Sequence, residues 1–307
     1  MKIANRMEKL APSLTLSITA LANELKAAGK DILSFSAGEP DFDTPQVVKD
    51  AAIKAINEGK TKYTAVEGIK ETKQAIINKL KKDHNLDYTL DKIVISNGAK
   101  HSLFNLAQAL IDEGDEVIIP SPYWVTYPEL VVYSGGVPVF IETDESTEFK
   151  ITAKQLKEKI TPKTKILMLN SPSNPTGSIY SKDELLAIGE VLKGTDIVVL
   201  SDEMYEKLIY KGKKFTATAE VSPDMYNRTV TINGLSKSVA MTGWRFGYVA
   251  CPNSALAKAM SKLQGQVTSN VNSMTQYAAI VALEGEANKD IEMMRIEFEK
   301  RKDYAVK

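Results

Sequence analysis

The sequence predicts an α/β fold, with a three-layer α/β/α large domain built on a mostly parallel sheet. From Asp91 onward, apolar runs of four to six residues alternate with segments of helical pattern. Runs without polar alternation are typical of strands buried on both faces, and their alternation with helices favours parallel pairing. A chain of 307 residues that is 43% hydrophobic and 25% charged can also bury a large core. We expect one large domain and a smaller one.

Three helices are predicted before Asp91. The first spans Leu14 to Lys30, where hydrophobic residues recur at helical spacing until Gly29, and a short apolar strand, DILSF, follows it. The loop SAGEPDFDTP then leads to a helix that begins at Pro45 and ends before Gly59. The third helix is the segment GIKETKQAIINKLKKDHN. Loops as rich in turn-forming residues as SAGEPDFDTP often carry binding groups.

Beyond Asp91, strands and helices follow one another in a regular order. The predicted strands are KIVIS, DEVIIP, GVPVFIET, KILMLN, DIVVLS and TVTIN, with a second apolar run after Arg245. The predicted helices are HSLFNLAQALIDEG, VTYPELVVYSGG, SKDELLAIGEVLKG and the segments 254–263, 273–283 and 288–307. The last segment is highly charged and has no helix stop signal, so its helical pattern runs on to the final residue.

The composition disfavours several classes of protein and site. Lys and Arg total 39, as do Asp and Glu, so charge gives no reason to expect a nucleic acid or a membrane as partner. Cys251 is the only cysteine, which excludes an internal disulfide and suits a reducing compartment. His84 and His101 are the only histidines, which disfavours a His-rich zinc site or a Ser-His-Asp triad. Without a secretory signal or a membrane-length apolar run, we expect a cytoplasmic protein.

The first strand end that could form a site follows KIVIS. In parallel sheets covered on both faces, ligands bind beyond the carboxyl ends of the strands. Asn97, Gly98, Ala99 and Lys100 occupy this position and lead into a helix. Glycine lets the backbone approach a ligand, and the free amides of a helix N-terminus attract an anion such as phosphate. An ordinary turn between strand and helix accounts equally well for these residues.

Two further strand ends offer Trp124 and Asn174. Trp124 belongs to the motif SPYW after DEVIIP, where it can stack on a flat ring, although tryptophan in such folds is more often simply core. Asn174 opens the motif NPTG after KILMLN, and its side-chain amide is a neutral donor suited to a phenolic oxygen. A plain turn accounts for the same motif.

The last two strand ends supply charged groups. DIVVLS delivers Asp202 and, three residues later, Tyr205. Because a buried carboxylate is costly unless paired, Asp202 should face a cation, either a protonated ring nitrogen of a ligand or a Lys or Arg of the protein. TVTIN leads to Ser236 and Lys237, and Arg245 lies eight residues beyond the lysine. We interpret Lys237 as an amine that forms a Schiff base with an aldehyde cofactor, whose phosphate Arg245 holds.

Together the five loops offer the contacts that pyridoxal phosphate requires. They provide a phosphate site, a stacking ring, a donor for a phenolic oxygen, an anion for a pyridinium and an amine for an aldehyde. The chain resembles the class I, fold-type I pyridoxal-phosphate aminotransferases, and within them the bacterial aspartate aminotransferase group. The resemblance covers essentially the whole chain, and the motifs that carry it are GEPDF, SPYW, NPTG, DEMY and SKSVAMTGWRFGY.

The resemblance implies a role for each of these residues. The implied catalytic residues are Lys237, which also carries the cofactor and moves the substrate proton, Asp202, which pairs with the ring nitrogen, and Tyr205. The implied cofactor-binding residues are Gly98, Ala99, Lys100, Trp124, Asn174, Asp202, Tyr205, Ser236, Lys237 and Arg245, with Tyr63 reaching the phosphate from the other subunit of a homodimer. The implied substrate-binding residues are Gly38, through its backbone amide, Trp124 and Asn174.

The resemblance also implies a domain division and an activity. Residues 1–44 would form an N-terminal arm and part of a small α+β domain, 45–285 the large cofactor-binding domain, and 286–307 a helix that connects to the small domain, which is here C-terminally incomplete. The implied activity is amino transfer between an amino acid, aspartate first, and 2-oxoglutarate. Aromatic amino acids, prephenate and alanine remain open as substrates. A different reaction on the same scaffold, such as decarboxylation, and a non-catalytic regulatory role also remain open.

Two features depart from the family pattern. No residue matches the small-domain arginine that grips the substrate α-carboxylate, and Arg295 and Arg301 lie on the connecting helix and are not assigned that role. If the 307 residues are the whole molecule, we expect most transaminase activity to be lost and cofactor binding to survive. Gly234 stands three residues before the Schiff-base lysine, where some relatives have a phosphate-binding serine. The phosphate contacts should therefore come from the Gly98 loop and Arg245.

Overall fold

The structure, a computed structural model, describes residues 1–35, 38–210 and 212–307. The helices of these residues are α1 (Asn5–Glu8), α2 (Leu14–Ala27), α3 (Gln46–Asn57), α4 (Lys70–His84), α5 (Ala99–Leu110), α6 (Thr126–Tyr133), α7 (Ala153–Lys159), α8 (Lys182–Leu192), α9 (Pro223–Arg228), α10 (Ser254–Val267), α11 (Ser273–Glu284) and α12 (Asn288–Val306). The strands are β1 (Ile93–Asn97), β2 (Glu116–Ser121), β3 (Val137–Glu142), β4 (Thr164–Asn170), β5 (Val198–Asp202), β6 (Thr229–Gly234) and β7 (Phe246–Ala250).

The strands of the described residues form one sheet in the order β1-β7-β6-β5-β4-β2-β3. All neighbouring pairs from β6 to β3 are parallel, whereas β7 runs antiparallel to both β1 and β6. The prediction of a mostly parallel sheet is therefore confirmed. Because β7 alone is reversed, the carboxyl ends of the other six strands lie along one edge of the sheet.

Both faces of the sheet are covered, as the unbroken apolar runs predicted. On β1, Ile95 packs against α4 and α11 residues such as Ile76 and Ala278, whereas the adjacent Val94 packs on the other side against Leu103 of α5. A third cluster joins β2, β4 and β5 to α7, α8 and α9. Successive side chains of a strand point to opposite faces of the sheet, so a strand that is buried on both faces is apolar throughout. The sheet and the helices on its two faces form three layers.

Local sequence signals explain several helix starts. At α8, the Ser181 hydroxyl accepts from the backbone amide of Glu184, and the Glu184 carboxylate accepts from the Ser181 amide at 2.7 Å. Thr152 and Gln155 form the same reciprocal pair at α7, a helix that the periodicity analysis missed. Such a pair satisfies two amides that the first helical turn leaves without partners. The helices α1 and α9, of four and six residues, were also missed because they are too short for periodicity to register.

The predicted strand DILSF is wrong. Residues 31–35 have no regular structure, and two of their three apolar side chains lie in solvent, with Leu33 82% and Phe35 95% exposed. A strand needs a neighbour for its backbone hydrogen bonds, and no strand of the described residues pairs with this segment. The helix before it is confirmed as α2, although Leu14, Leu16 and Leu21 lie exposed and Ala22 is its one buried residue.

No helix in the described part of the chain combines the length and the apolar character needed to cross a membrane. The long final helix, α12, instead carries charged side chains along most of its length and buries only Ile291 and Met294.

Candidate active site

The strand-end residues predicted from the sequence meet at one edge of the sheet. Neighbouring strands are in register there: Asn170 lies opposite Asp202, and Asp202 lies opposite Ile232 on β6. Two residues beyond β6 begins the turn that carries Ser236 and Lys237. Tight register along parallel strands brings residues that are far apart in sequence into a single row.

The first part of the site is an anion-binding cradle at the start of α5. Gly98 has φ +82°, a conformation that suits glycine, and α5 begins at the next residue. Within the described residues, no acceptor contacts the backbone amides of Ala99 and Lys100. These amides, at the positive end of a twelve-residue helix, can bind an anion.

Cationic side chains complete the cradle. A Cβ atom on Gly98 would lie 2.4 Å from Nη2 of Arg245, so the guanidinium rests against the glycine backbone. Nη1 of Arg245 donates to the carbonyl of Thr242 at 2.8 Å, and this hydrogen bond orients the guanidinium group. Burial, and then the charge of Arg245, lowers the pKa of Lys100. This mutual repulsion between cations would be relieved by an anion that binds between them.

Gly234, three residues before Lys237, has no room for a side chain. A Cβ atom at this position would lie 2.6 Å from the carbonyl oxygen of Phe246 and 3.0 Å from Cε of Met204. Gly234 also faces Gly247 across the β6–β7 pair. A serine would therefore collide with backbone, and the strand pair is closely packed because position 234 has no side chain.

Asp202 is buried at the carboxyl end of β5. Its Oδ2 accepts from the Tyr127 hydroxyl at 2.8 Å, and its Oδ1 accepts from the Met204 amide at 3.2 Å. Burial raises the pKa of Asp202, and the Tyr127 hydrogen bond offsets part of that shift. Across the described residues, no Lys or Arg lies within 4.0 Å of its carboxylate, so the predicted cationic partner is not a described protein side chain. A cationic group of a ligand would compensate this buried carboxylate.

Tyr205 and Asn174 lie beside Asp202. Burial, followed by the charge of Asp202, raises the pKa of Tyr205 to about 12, and a hydrogen bond to the Asn174 side chain acts in the opposite direction. Tyr205 therefore stays a neutral phenol that can donate a hydrogen bond at physiological pH. The backbone N–H of Asn174 donates to Oδ1 of Asn170 at 2.6 Å, and Nδ2 of Asn170 donates to the backbone carbonyl of Asp202 at 2.9 Å.

Trp124 forms an aromatic wall of the site. Nζ of Lys100 lies 4.8 Å from the centre of its ring, and the ring of Tyr127 meets it edge-on at 5.5 Å. Tyr127 thus contacts both the indole and the Asp202 carboxylate. The hydrogen bond of the Tyr127 hydroxyl therefore connects the aromatic side of the site to the Asp202 carboxylate.

Lys237 reaches into the site from the turn after β6. Its Nζ donates to the backbone carbonyl of Gly38, which belongs to the loop predicted to carry binding groups. Burial lowers the pKa of Lys237; the carboxylate of Glu39 opposes this shift and the guanidinium of Arg245 adds to it. A lowered pKa increases the fraction of neutral amine, the form that attacks a carbonyl carbon.

The structure brings most of the predicted residues together at one edge of the sheet, whereas Tyr63 lies exposed. The residues along the edge of the sheet are Gly98, Ala99, Lys100, Trp124, Asn174, Asp202, Tyr205, Ser236, Lys237 and Arg245, with Gly38 against the lysine. Ser236 is 7% exposed. Tyr63 is 90% exposed. Gly38 presents its carbonyl to Lys237, whereas the sequence analysis assigned a role to its amide.

Sequence reasoning missed Tyr127 and Asn170. Tyr127 lies in the first turn of α6, three residues after Trp124, and its backbone amide donates to the Trp124 carbonyl at 3.0 Å. Asn170 is the last residue of β4, the position where the strand-end rule would have placed a functional residue. Both signals are present in the sequence, but neither distinguishes these residues from ordinary neighbours of a turn.

The chain is similar to a known family over nearly its whole length. The family model described as aminotransferase class I and II matches residues 30–307. The aspartate aminotransferase of Geobacillus stearothermophilus is 54% identical over 301 residues, which are 98% of this chain and 76% of that protein. A probable aspartate/prephenate aminotransferase of Aquifex aeolicus is 48% identical over 305 residues, 99% of this chain and 77% of that protein.

Solved structures agree with these relatives. The crystal structure of an aspartate aminotransferase from Rhizobium meliloti has a TM-score of 0.95 and 44% identity, and the match covers 99% of this chain and 76% of that one. The aspartate aminotransferase of Thermus thermophilus with maleate has a TM-score of 0.95 and 40% identity, over 99% of this chain and 78% of that one.

Proposed function

This chain belongs to the aminotransferase class I and II family, and from that membership we propose that it transfers the amino group of aspartate to 2-oxoglutarate. Enzymes of this family depend on pyridoxal 5′-phosphate. The observation that carries the proposal is the buried Asp202 carboxylate, which has no described Lys or Arg within 4.0 Å and lies in one row with the Lys237 amine and the cradle at Gly98. These three groups fit the ring nitrogen, the aldehyde and the phosphate of that cofactor.

Each residue of the candidate site has a separate role in the proposed binding of the cofactor. Gly98, Ala99, Lys100 and Arg245 bind the phosphate, with Ser236 beside them. Asp202 holds a proton on the ring nitrogen, because a buried carboxylate raises the pKa of a cation that it contacts. Asn174 and Tyr205 donate to the ring oxygen, and Trp124 excludes water from one face of the ring.

The bound cofactor supplies an aldehyde for covalent attachment and a protonated ring that stabilises negative charge on the substrate α-carbon. Lys237 provides the attacking amine. Once the substrate amine has displaced it, Nζ of Lys237 would be free to take the α-proton and to return it to the carbon that carried the cofactor's aldehyde. Burial lowers the pKa of Lys237, which favours this base at neutral pH. Gly38, Trp124 and Asn174 would contact the substrate.

The preference for aspartate rests on the names of the relatives. Several relatives at 48–50% identity are named aspartate/prephenate aminotransferases, and this favours prephenate as a second amino acceptor. Aromatic amino acids and alanine have no comparable support, so they serve as comparison substrates in the assay below.

We also propose an assembly and a domain division. The exposed Tyr63 supports a homodimer in which this tyrosine reaches the phosphate in the other subunit, and sedimentation equilibrium at micromolar concentration would detect a dimer or refute it. Residues 1–44 form an arm and part of a small domain, 45–285 the cofactor domain and 286–307 the connecting helix. A cytoplasmic location is proposed from the family and checked by cell fractionation.

A donor screen tests the proposed activity. Purified protein that contains all of these 307 residues is saturated with pyridoxal phosphate and given 2-oxoglutarate with aspartate, alanine, phenylalanine or tyrosine, and glutamate formation is measured. We expect aspartate to react fastest. A faster aromatic donor, or carbon dioxide release in place of glutamate, would contradict the proposal. Parallel reactions with prephenate as acceptor test the second candidate.

Replacing Gly98 with alanine should weaken binding of pyridoxal phosphate about tenfold, because the new methyl group displaces the Arg245 guanidinium. The backbone of Gly98, at φ +82° and ψ +160°, is also a conformation almost restricted to glycine, which costs another residue ~1–3 kcal/mol. Gly114→Ala is the control for a glycine at positive φ, since Gly114 has φ +86° and nothing within 4 Å. Both variants should lose thermal stability, and only Gly98→Ala should lose affinity. Equal affinities would remove the cradle from the cofactor site.

A further inference from the structure

A buried ionic cluster lies on the far side of the turn that carries Tyr205. At its centre, Nε2 of His84 lies 3.0 Å from a carboxylate oxygen of Glu206, and Nδ1 lies 3.2 Å from one of Glu220. The His84 side chain is 8% exposed. It is the last residue of α4, so it links that helix to two separate segments, the turn after β5 and the turn before α9.

The other charged groups of the cluster form ion pairs with one another. Nζ of Lys79 lies 2.5 Å from Glu206 and 3.4 Å from Asp83, and Nζ of Lys207 lies 2.7 Å from Asp83. Potential metal-ligand atoms of Asp83, His84 and Glu206 come within 4.8 Å of one another. The two lysines already neutralise these carboxylates, so the cluster is better suited to an internal salt-bridge network than to a cation.

The geometry determines the protonation state of His84. Each ring nitrogen faces a carboxylate, and a carboxylate can only accept, so both nitrogens must carry a proton. Burial lowers the pKa of His84, but the hydrogen bond and the charge of Glu206 outweigh it, and the net shift is upward. The negative end of the α4 dipole also favours the imidazolium.

The cluster holds the turn from Glu203 to Glu206 on the side away from the candidate active site. The Glu206 amide donates to the Glu203 carbonyl at 3.0 Å, which closes the turn around Tyr205. The Glu203 carboxylate accepts from the Ser201 hydroxyl at 2.9 Å and from the Thr218 amide at 3.0 Å. Both glutamates are buried, and Tyr205 between them projects to the opposite side, beside Asn174.

We propose that the His84 imidazolium is a positioning residue: by binding Glu206 and Glu220 together it fixes the turn that carries Tyr205 and begins directly after Asp202. This inference rests on the proposed function, which gives Asp202 and Tyr205 their contacts with the ring of the cofactor. His84 touches neither the cofactor nor the substrate. When it loses a proton, one carboxylate faces a lone pair, and the turn is released on that side.

The test measures the dissociation constant of pyridoxal phosphate, and the pH midpoint of the visible absorbance of the bound cofactor, in wild type, His84→Gln and Glu220→Gln. At pH 6, His84→Gln should bind about tenfold more weakly, because glutamine can donate to only one carboxylate. The midpoint of the absorbance should shift as well, since Tyr205 no longer donates in a fixed direction. As pH rises through the raised pKa of His84, wild type should approach the affinity of His84→Gln.

Glu220→Gln is the decisive control. With an amide at position 220, a neutral His84 can donate to Glu206 and accept from the new side chain, so tight binding should persist as pH rises. The charged groups that face His84 are Glu203, Glu206, Glu220 and Lys79, with Asp83 and Tyr248 next to Lys79. Burial raises the pKa of Glu203 to about 7, so Glu203→Gln separates its titration from that of His84.

The outcomes are distinct. Unchanged affinity and absorbance in His84→Gln, even with a lower melting temperature, would reduce His84 to a structural role and overturn the inference. If His84→Gln does not fold, the comparison of wild type with Glu220→Gln still tests the inference. Equal pH profiles of cofactor affinity for these two proteins would overturn it. Failure of wild type to bind the cofactor at any pH would instead refute the proposed function.

Discussion

Replacing Lys237 with alanine should abolish amino transfer, with turnover falling ~10⁴-fold. The loss has two causes. No amine remains to attach the cofactor, and no base remains in the position where Nζ now donates to the Gly38 carbonyl. The visible absorbance that arises from covalent attachment should disappear, while the phosphate cradle should still bind the cofactor reversibly. Absorbance spectra and glutamate formation measure the two effects separately.

Lys262→Ala is the matched control for this variant. Lys262 is an exposed lysine of α10, away from the edge of the sheet, and its removal should change neither spectrum nor turnover. If Lys237→Ala retained the absorbance of a lysine-bound cofactor, a different lysine would hold the role and the assignment of the site would fail. Added methylamine should restore part of the turnover only if the missing group acts as a base.

Replacing Asp202 with asparagine should lower turnover ~10³-fold and leave the cofactor attached to Lys237. The substitution keeps the shape of the side chain and one oxygen that can accept from the Met204 amide, and its NH2 group can donate to the Tyr127 hydroxyl, but it removes the negative charge. Without that charge the ring nitrogen loses its proton, and the site no longer stabilises negative charge on the substrate. Turnover under saturating substrates measures the effect, and Asp196→Asn, at an exposed position, is the control.

Asp202→Asn, which should lower turnover, should at the same time raise the stability of the cofactor-free protein. Burial raises the folded-state pKa of Asp202 above its unfolded value, so the stability that its proton contributes is lost as pH rises through the raised pKa. Above that pH, cofactor-free wild type buries an uncompensated charge and Asp202→Asn buries a neutral amide. We expect Asp202→Asn to melt at a higher temperature than wild type at pH 8 without cofactor. A lower melting temperature would mean that a cation of the protein already compensates Asp202.

The candidate site was predictable to a large extent because parallel strands end at a common edge. Gly98, Asp202 and Lys237 each follow an apolar run, and the rule that ligands bind beyond strand ends was enough to place them together. Tyr127 was missed because its partner is 75 residues away, and only the tertiary fold brings its hydroxyl to Asp202. Whether a cation lies close enough to compensate the charge of Asp202 likewise depends on a distance between side chains, and a sequence does not give such distances.

The error at residues 31–35 has a related cause. An apolar run with β-branched and aromatic residues satisfies the local requirements of a strand, yet a strand forms only where another backbone supplies hydrogen bonds. No strand of the described residues pairs with residues 31–35, and Phe35 lies in solvent. Local pattern therefore predicted the seven strands that pair in the sheet, and it could not detect that residues 31–35 do not join it.

The sequence by itself determined the three-layer fold, the order of its elements and the residues at the edge of the sheet, because hydrophobic periodicity and turn chemistry act over short stretches of chain. Only the tertiary structure decided that Asp202 is buried without a described cationic partner, that Gly234 leaves no room for serine, and that His84 bridges two carboxylates. Each of these depends on groups that approach within 4 Å from distant segments. Folding sets such distances through the packing of whole elements, and no local pattern encodes them.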